Sequence, residues 1–445
     1  MALNILIITY GSLGDVAPYV ALARGFIKKG HAATICTGET FKVLIESNGV
    51  QYRYMNDQMT GLINSATGRR SLENLSNIWG FLKVAFNVAR RIGPIQQDIV
   101  RDSWEAAKSS QFDTIIYSPK AYFACHFTEK LDIPSIAAPL FPQHIPTNEF
   151  PALGFPPMQF MGTRYNLLTY QLVELLGGLF GGKHIKDWRA QNDMKPAYTG
   201  LDLSSKKSKR TLAVLNAYSG ELCPQPTDYA SSVITTGFWF LDQKNSWTPP
   251  ASLVKFLEHE NPPVYIGFGS MALAEASELT SIIVDVLGQL NIRAVLATGW
   301  GGLQCTDQSS NIYTVESLPH DWIFPKVRAI VHHGGAGTLA AGLRAGKPTL
   351  ICPIFGDQPF WGKLVHRMKL GPPPLKQTKI QRKNFGIALS DLIENRAYKI
   401  NAEKISRLIL AEGGVEYAVD LVEELVGAGS RNSGPASTQL EVAND

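Results

Sequence analysis

The stretch "HHGGAGT" at residues 332–338 joins the apolar run "AIVHH" (329–333) to the helix-compatible run "LAAGLRAG" (339–346). Glycines carry no Cβ atom, so such a turn can bring backbone N–H groups close to a ligand. A helix that begins at the turn adds a dipole that favours an anion. The stretch therefore predicts a strand, an anion-binding turn and a helix, with the ligand beyond the carboxyl end of the strand, as in open α/β sheets.

Short apolar runs alternate with helical patterns through most of the chain. In the first half, "NILIITY" (4–10), "HAATICTG" (31–38) and "DTIIYSP" (113–119) predict strands, and the pattern restarts at "PVYIGFGS" (263–270). This alternation is typical of βα units and parallel sheets, so we predict an α/β fold.

The length of 445 residues favours two domains. We predict a Rossmann-like domain over 1–236, a linker rich in proline and polar residues over 237–262, and a second Rossmann-like domain over 263–410. A helix is expected over 411–428, and the small, polar residues 429–445 are predicted to be disordered.

Composition excludes several classes of protein. The net charge of +4 is too small for this length to indicate nucleic-acid binding. The five cysteines are scattered without a CxxC pair, which indicates neither a disulfide framework nor a zinc site and favours a reduced, cytoplasmic setting.

The N-terminus has neither a basic region nor a cleavage site, so we interpret it as a buried strand. The apolar stretch 167–182 is interrupted by Glu174 and glycines, and we expect no transmembrane helix.

Two further motifs follow predicted strands near the opening stretch. "GFGS" (267–270) ends one strand, and Ser270 can donate to a phosphate. "FGDQPFW" (355–361) follows another strand, and its Asp357 and Gln358 suit the binding of vicinal hydroxyls. Phosphate donors beside a hydroxyl-binding pair indicate a nucleotide sugar as the ligand.

A second glycine turn, "GSLGD" (11–15), follows the first predicted strand. Ser12 and Gly14 are candidate donors to the same diphosphate from the facing domain. Asp15 is either a helix N-cap or a general base for an acceptor hydroxyl. The chain contains no D-x-D and no cluster with metal-ligand spacing, so no metal is predicted. Helix N-termini, backbone N–H groups and His333 would then neutralise the diphosphate.

These motifs resemble the glycosyltransferases of the GT-B fold, specifically family 1, which includes the sterol and antibiotic glycosyltransferases. Residues 317–362, "SLPHDWIFPKVRAIVHHGGAGTLAAGLRAGKPTLICPIFGDQPFWG", are most similar to the donor segment of sterol 3-β-glucosyltransferases. Residues 11–31, "GSLGDVAPYVALARGFIKKGH", resemble the first strand–helix unit of that family, and "IPTNEFPALGF" (145–155) resembles its acceptor-side segment.

The resemblance implies two Rossmann-like domains that face each other across a cleft. The N-terminal domain would bind the acceptor, the C-terminal domain would bind the nucleotide sugar, and helix 411–428 would pack back on the N-terminal domain. The implied enzyme is an inverting, metal-independent hexosyltransferase that uses UDP-glucose and needs no cofactor.

The resemblance also assigns roles to individual residues. Asp15 matches the catalytic carboxylate, and His333 the histidine that contacts the diphosphate. The remaining implied donor contacts are Ser12, Gly14, Ser270, Gly335, Ala336, Gly337 and Thr338 at the diphosphate, Asp357 and Gln358 at the sugar, and Val315 and Leu318 in the loop at the base. Three positions depart from related enzymes: Leu13 replaces a common arginine, Ala341 stands where plant enzymes carry a ribose-binding glutamate, and Val315 aligns near their uracil-stacking tryptophan.

An apolar acceptor is expected from the aromatic and methionine-rich region after residue 140. The candidate acceptor contacts are Phe141, His144, Phe150, Phe155, Met158 and Trp361. His126 and His144 are candidate assistants of Asp15, with a packing role as the alternative. The basic run "KKSKR" (206–210) allows either transient contact with anionic lipid or a solvated loop.

Several alternatives stay open at this point. The acceptor is a sterol, a phenol, a flavonoid or a terpenoid; the sugar is glucose or another hexose; and the nucleotide is UDP or TDP. Two rival functions are a GT-B epimerase and a catalytically idle protein that binds lipid or a nucleotide sugar. No obligate protein partner is inferred, and the sequence does not indicate an oligomeric state.

Overall fold

The computed structural model describes residues 2–58, 61, 78–142, 144–156, 158, 161–197, 210–243, 247–268, 276–299, 310–354 and 356–432. The first half of the described chain builds one parallel sheet in the order β3-β2-β1-β4-β5-β6-β7. Its strands are β1 (Asn4–Ile8), β2 (Ala32–Thr37), β3 (Gln51–Tyr54), β4 (Thr114–Tyr117), β5 (Ser135–Ala137), β6 (Thr211–Asn216) and β7 (Val233–Thr235).

Helices flank this sheet, so its central strands are buried on both faces. They are α1 (Leu13–Lys28), α2 (Lys42–Ser47), α3 (Ile78–Ala107), α4 (Ala124–Leu131) and α5 (Gly162–Gln191). The continuous apolar run of β1 reflects this double coverage, because its residues Ile5–Ile8 are all fully buried. Strand β3 reads "QYRY" and β7 is three residues long, and neither was predicted because neither carries a clear apolar run.

The second half builds a five-stranded parallel sheet in the order β10-β9-β8-β11-β12. Its strands are β8 (Val264–Gly267), β9 (Ala294–Ala297), β10 (Ile312–Val315), β11 (Ala329–His332) and β12 (Thr349–Ile351). The accompanying helices are α6 (Ala251–Leu257), α7 (Ala276–Gln289), α8 (His320–Ile323), α9 (Ala336–Arg344), α10 (Gln358–Arg367), α11 (Arg382–Glu394), α12 (Arg396–Ala411) and α13 (Gly414–Asn432). Helix α6 falls inside the segment predicted as a linker.

Strand order reverses once in each sheet, and ligands bind at such points. In the first sheet the reversal lies between β1 and β4, and in the second between β8 and β11. The turn at residues 11–15 follows β1, and the turn at residues 332–338 follows β11. Both glycine motifs therefore lie at the positions where an α/β sheet opens a crevice.

The contacts that join the halves of the chain include an apolar cluster and an ion pair. Tyr218 and Phe238 from the first half pack in one cluster with Leu339, Trp361 and Ile409 from the second. Beside this cluster, the Arg344 guanidinium donates to both carboxylate oxygens of Asp242, at 2.6 and 2.8 Å.

Helix α13 leaves the second half and packs on the first. Its Val419 and Val422 belong to the core that contains β1 and α1. Lys29 forms ion pairs with Asp420 and Glu423 on the rim of this contact. The helix continues to Asn432, so residues 429–432, predicted as part of the disordered tail, extend it. Residues 433–445 lie outside the described chain.

Candidate functional site

Asp15 is held at the start of α1 by the turn that follows β1. Ser12 donates to Asp15 Oδ2 from its backbone N–H at 2.7 Å and from its hydroxyl at 2.9 Å. Gly11 has a φ of +135°, and a Cβ at that position would lie 2.3 Å from Asp15 Oδ2. The turn therefore needs glycine at 11. The N-cap of α1 is Ser12 and not Asp15, which is the third residue of the helix and completes a capping box by accepting the Ser12 N–H.

Lys120 forms an ion pair with the same carboxylate. It lies just after β4, and its Nζ is 2.7 Å from Asp15 Oδ1. Tyr10 donates its hydroxyl proton to the Lys120 backbone carbonyl at 3.1 Å, which ties the two strand-end turns together. The carboxylate thus has donors on both oxygens, and its orientation is set by two strands that are neighbours in the sheet.

The turn after β11 is shaped by close packing at its glycines. Gly334 has a φ of +95°, and a Cβ there would lie 2.6 Å from Ile351 Cγ2. A Cβ on Gly335, the N-cap of α9, would lie 2.6 Å from His333 Nε2. Helix α9 begins directly after, at Ala336, so Gly337 and Thr338 form its first turn. The backbone N–H groups at this helix start suit an anion.

Three histidines surround this turn. Burial lowers the pKa of His333 to about 4, so its imidazole is neutral at pH 7 and has one N–H that can donate a hydrogen bond. His332 is fully buried, and its Nδ1 accepts the Gly334 N–H at 3.0 Å, which fixes the turn from inside. His320 stacks on Phe324 at 4.4 Å, and burial together with the neighbouring His333 lowers its pKa to about 4.

Asp357 and Gln358 start helix α10 after β12. Gln358 is buried, and its Oε1 accepts the Ile354 N–H at 2.8 Å, which holds the amide in one orientation. Asp357 Oδ2 accepts the indole N–H of Trp361 at 2.8 Å. Trp361 is fully buried, so the expectation that it contacts the acceptor is not met; its indole supports Asp357 from behind.

The two halves of the site are joined by helix α1, which begins at the Asp15 turn and contacts helix α9, which begins at the turn after β11. Burial is the main cause that raises the pKa of Asp357 to about 6; the hydrogen bond from Trp361 opposes the shift, and the charges of Asp15 and Lys120 make smaller contributions of opposite sign. Two carboxyl groups from different sheets therefore lie within electrostatic reach of each other.

His144 and Phe141 follow β5 of the first sheet. Their rings are 4.4 Å apart. Burial, and then the charge of Lys120, lowers the pKa of His144 to about 4, while Asp15 opposes the shift. His144 is thus a neutral neighbour of the carboxylate. His126, the other histidine considered, is buried against Arg189 at 3.1 Å.

The predicted acceptor-side segment is anchored at both ends. Asp228 accepts the Thr147 hydroxyl at 2.6 Å and the Asn148 N–H at 2.7 Å. Helix α5 holds the segment from the other side, with the Tyr165 hydroxyl 2.9 Å from the Pro156 carbonyl. Phe150, Phe155 and Met158 are half-buried along this segment.

The other predicted donor contacts are placed as follows. Ser12 and Gly14 are exposed at the start of α1. Val315 ends β10, where its carbonyl accepts the Thr298 N–H at 2.9 Å, and Leu318 is half-buried in the following loop. Ser270 lies outside the described residues. Within the described chain, no group of three or more His, Cys, Asp or Glu side chains could hold a metal ion.

The sequence places Lys120 after a strand that should approach the same cleft and leaves open a loop role or a catalytic role, whereas His320 was not predicted. Lys120 carries one recognisable signal, since it follows β4 as Asp15 follows β1, and these strands are adjacent. His320 lies in the predicted base-binding loop, yet only the fold brings it beside His333.

Two family models match the chain. Residues 5–148 match the glycosyltransferase family 28 N-terminal domain. Residues 282–425 match the erythromycin biosynthesis protein CIII-like C-terminal domain. The first match lies within the first predicted Rossmann-like unit and contains Asp15. The second match overlaps the second predicted unit and the helix after it, and it contains the 332–338 turn.

Curated relatives extend the similarity to nearly the whole chain. A sterol 3-beta-glucosyltransferase of Glomerella lagenarium is 33% identical over 433 residues, which is 94% of this chain and 28% of the relative. A sterol 3-beta-glucosyltransferase of Arabidopsis thaliana is 33% identical over 430 residues, which is 94% of this chain and 64% of the relative. The chain thus spans less than two thirds of either relative's length. The predicted resemblance is confirmed.

Solved structures confirm the predicted fold. The kitacinnamycin glycotransferase superposes with a TM-score of 0.68 at 18% identity and covers 95% of this chain and 99% of its own. The calicheamicin glycosyltransferase CalG4 also gives 0.68, at 16% identity, with 97% and 100% covered. At sequence identities of 18% and 16%, these superpositions establish the fold alone. Among the described residues, no helix has the length and apolar character needed to span a bilayer.

Proposed function

We propose that this chain, built from the two domains of a GT-B glycosyltransferase, transfers a hexose from a nucleotide sugar to a hydroxyl of an apolar acceptor. The observation that carries the proposal is that the Asp15 turn and the 332–338 turn each follow a strand at which the order of their sheet reverses, while the helices that begin at these turns, α1 and α9, contact each other. The sterol glucosyltransferase relatives support a sterol as acceptor and glucose as the sugar. A phenol, flavonoid or terpenoid acceptor would use the same chemistry.

Asp15 is proposed as the general base of an inverting single displacement. The acceptor oxygen forms a bond to the anomeric carbon while its proton passes to the Asp15 carboxylate. The bond from that carbon to the diphosphate oxygen breaks, and the electron pair leaves with the nucleoside diphosphate. Ser12 and Lys120 hold the carboxylate in one orientation during this step. General-base assistance of this kind contributes about 10²–10⁴-fold.

The departing diphosphate is proposed to bind at the turn after β11. The N-terminus of α9 supplies backbone N–H groups and a favourable dipole, and neutral His333 supplies a further donor. This arrangement supports stabilisation of the leaving group without a metal ion and without a resident cofactor. UDP is proposed as the nucleotide, with TDP as the alternative. Asp357 and Gln358 are proposed to bind the sugar hydroxyls.

The experiment that tests this proposal is mass spectrometry of the products formed from UDP-glucose and a panel of sterols and planar phenols. Reactions are run with EDTA, and the Asp15→Asn variant is compared with Asp113→Asn. Asp113 is the matched control because it also accepts a backbone N–H, that of Asn4 at 2.7 Å, but precedes β4 at the opposite end of the sheet. Binding of UDP is measured by calorimetry in all three proteins.

A hexose adduct formed in EDTA, lost by about 10²-fold or more in Asp15→Asn and kept in Asp113→Asn, would support the base and the metal-independent reaction. UDP binding should persist in both variants. Full activity of Asp15→Asn would refute the assignment of the base. UDP binding without any adduct would favour an idle binding protein, and adducts confined to phenols would replace the sterol as acceptor.

A further inference from the structure

One side of helix α5 exposes a row of leucines. Leu168, Leu172 and Leu175 are 60%, 42% and 58% exposed. Their spacing of four and three residues places them on one face of the helix. Met161, the N-cap residue of the same helix, is 50% exposed one further step along that face. We call this row the α5 leucine face.

The opposite side of α5 is occupied by the protein itself. Thr169 and Tyr170 are buried, and the Thr169 hydroxyl accepts the Ala152 N–H at 2.8 Å. The Asn166 amide donates to the Asn148 carbonyl at 2.8 Å. A helix with apolar residues on both sides is normally buried all round. The α5 leucine face has the composition of a contact surface, and its residues are exposed in the folded chain.

Basic residues mark both ends of the α5 leucine face. Arg164 lies four residues before Leu168, and Lys183 and Lys186 lie eight and eleven residues after Leu175, so helical periodicity places all three on this side. All three are exposed. The helix carries two carboxylates, Glu174 and Asp187, and the same periodicity places both about a quarter turn or more from the row.

An apolar row between cationic ends matches the surface of an anionic bilayer. Leucines enter the boundary between headgroups and acyl chains, while lysine and arginine interact with anionic headgroups. A protein partner with an apolar groove would not require the cationic ends. We propose that the α5 leucine face docks this protein on anionic lipid membranes.

The α5 leucine face lies close to the acceptor-side segment, so docking of the face would also place that segment near the membrane. Helix α5 is about 10–12 Å across, and its inner side holds the acceptor-side segment through Tyr165, Asn166 and Thr169. A docked helix would bring that segment to the lipid surface, where a sterol-like acceptor resides. This part of the inference rests on the proposed function, whereas the docking itself does not.

The test is co-sedimentation of the full chain with phosphatidylcholine vesicles, with and without roughly 30% phosphatidylserine. The test variant is Leu168→Ser/Leu172→Ser/Leu175→Ser. The matched control is Ile387→Ser/Ile400→Ser/Leu410→Ser, which removes three comparably exposed apolar side chains from helices α11 and α12. A third variant, Arg164→Gln/Lys183→Gln/Lys186→Gln, tests the charges. Thermal melting and UDP binding establish that each variant is folded.

Wild type and the control should bind phosphatidylserine vesicles. The affinity of the leucine variant for these vesicles should be lower by about tenfold or more. The charge variant should lose the preference for phosphatidylserine and the salt sensitivity. Absence of wild-type binding, or equal loss in the leucine variant and the control, would overturn the proposal. A wild-type dimer in light scattering that the leucine variant abolishes would overturn it in favour of a second copy.

Turnover separates this inference from the proposed function. Sterol in vesicles should be glucosylated about tenfold more slowly by the leucine variant, while sterol in detergent micelles should react at the wild-type rate. If wild type glucosylates no sterol in either form, the proposed acceptor fails, and the vesicle-binding result still decides the docking surface. Equal losses in vesicles and micelles would contradict the docking role.

Discussion

Asp357→Asn should make the protein more stable while it removes a proposed sugar contact. The Asp357 carboxyl is buried enough that its pKa rises from 3.8 to about 6. Its ionised form is therefore less favourable in the folded protein than in the unfolded chain. Asparagine removes this cost, and its amide oxygen can still accept the Trp361 indole N–H that lies 2.8 Å from Asp357 Oδ2.

The size of the effect follows from the shift in pKa. A change from 3.8 to about 6 corresponds to at most about 3 kcal/mol of the free energy of unfolding. Asp357 is only half-buried by its exposed fraction, so solvent screening reduces the expected gain to about 1–2 kcal/mol. Because the folded-state pKa is the higher one, the folded wild type takes up a proton first as the pH falls through 6. Its penalty is therefore present above about pH 6 and disappears towards pH 4.

The assay is urea unfolding of both proteins between pH 4 and pH 8. The difference in unfolding free energy should be small near pH 4, rise through pH 5–6 and level off above pH 7. The buried histidines also destabilise the folded protein in acid, but they are present in both proteins and cancel in the difference. Donor turnover should fall in the variant at every pH at which it is folded.

A stability difference that does not change with pH would refute this reasoning, because an uncharged or fully solvated Asp357 would give that result. A variant less stable than wild type at pH 8 would show that the carboxylate is stabilised by contacts that outweigh its burial. Either outcome would also contradict the conclusion that burial governs the ionisation of Asp357 in the folded protein.

Two further predictions concern the turn and the crossing between the halves. Gly334→Ala should cost about 2–4 kcal/mol of unfolding free energy and weaken UDP binding, since the φ of +95° and Ile351 Cγ2 at 2.6 Å both oppose a Cβ. Gly288→Ala, in helix α7 with open space around it, should instead gain about 0.5–1 kcal/mol, and equal effects in urea unfolding would contradict the steric account. Glu412→Ala, just before α13, should cost about 1–3 kcal/mol because Oε1 accepts the Ser219 hydroxyl at 3.0 Å and the Gly220 N–H at 2.9 Å. Glu412→Gln keeps an oxygen for these donors and should lose less in thermal unfolding, and identical losses in the two variants would argue against the hydrogen bonds.

The local pattern of the sequence determined the central strands, the glycine turns that follow them and two motifs of the candidate site. The apolar runs at β1 and β11 predicted strands, because runs this short, rich in Ile and Val and followed by glycine turns, are typical of strands buried on both faces of a parallel sheet. The glycines at 11 and 334 specified tight turns, since their positive φ values exclude most other residues. Asp15 and the 332–338 turn could also be predicted as site residues, because their chemistry depends on the residues next to them in the chain.

Tertiary structure decided which side chains meet. The Asp15–Lys120 ion pair joins residues 105 positions apart, and it exists because β1 and β4 are adjacent at the point where the strand order reverses. Trp361 is a large aromatic side chain beside Asp357 and Gln358 in the sequence, which is why it was predicted to contact the acceptor. The packing of the two halves buries it behind Asp357. Periodicity and turn chemistry act over a few residues and can be read locally. Burial and charge proximity depend on the order of strands and on the packing of the halves, so only the folded chain establishes them.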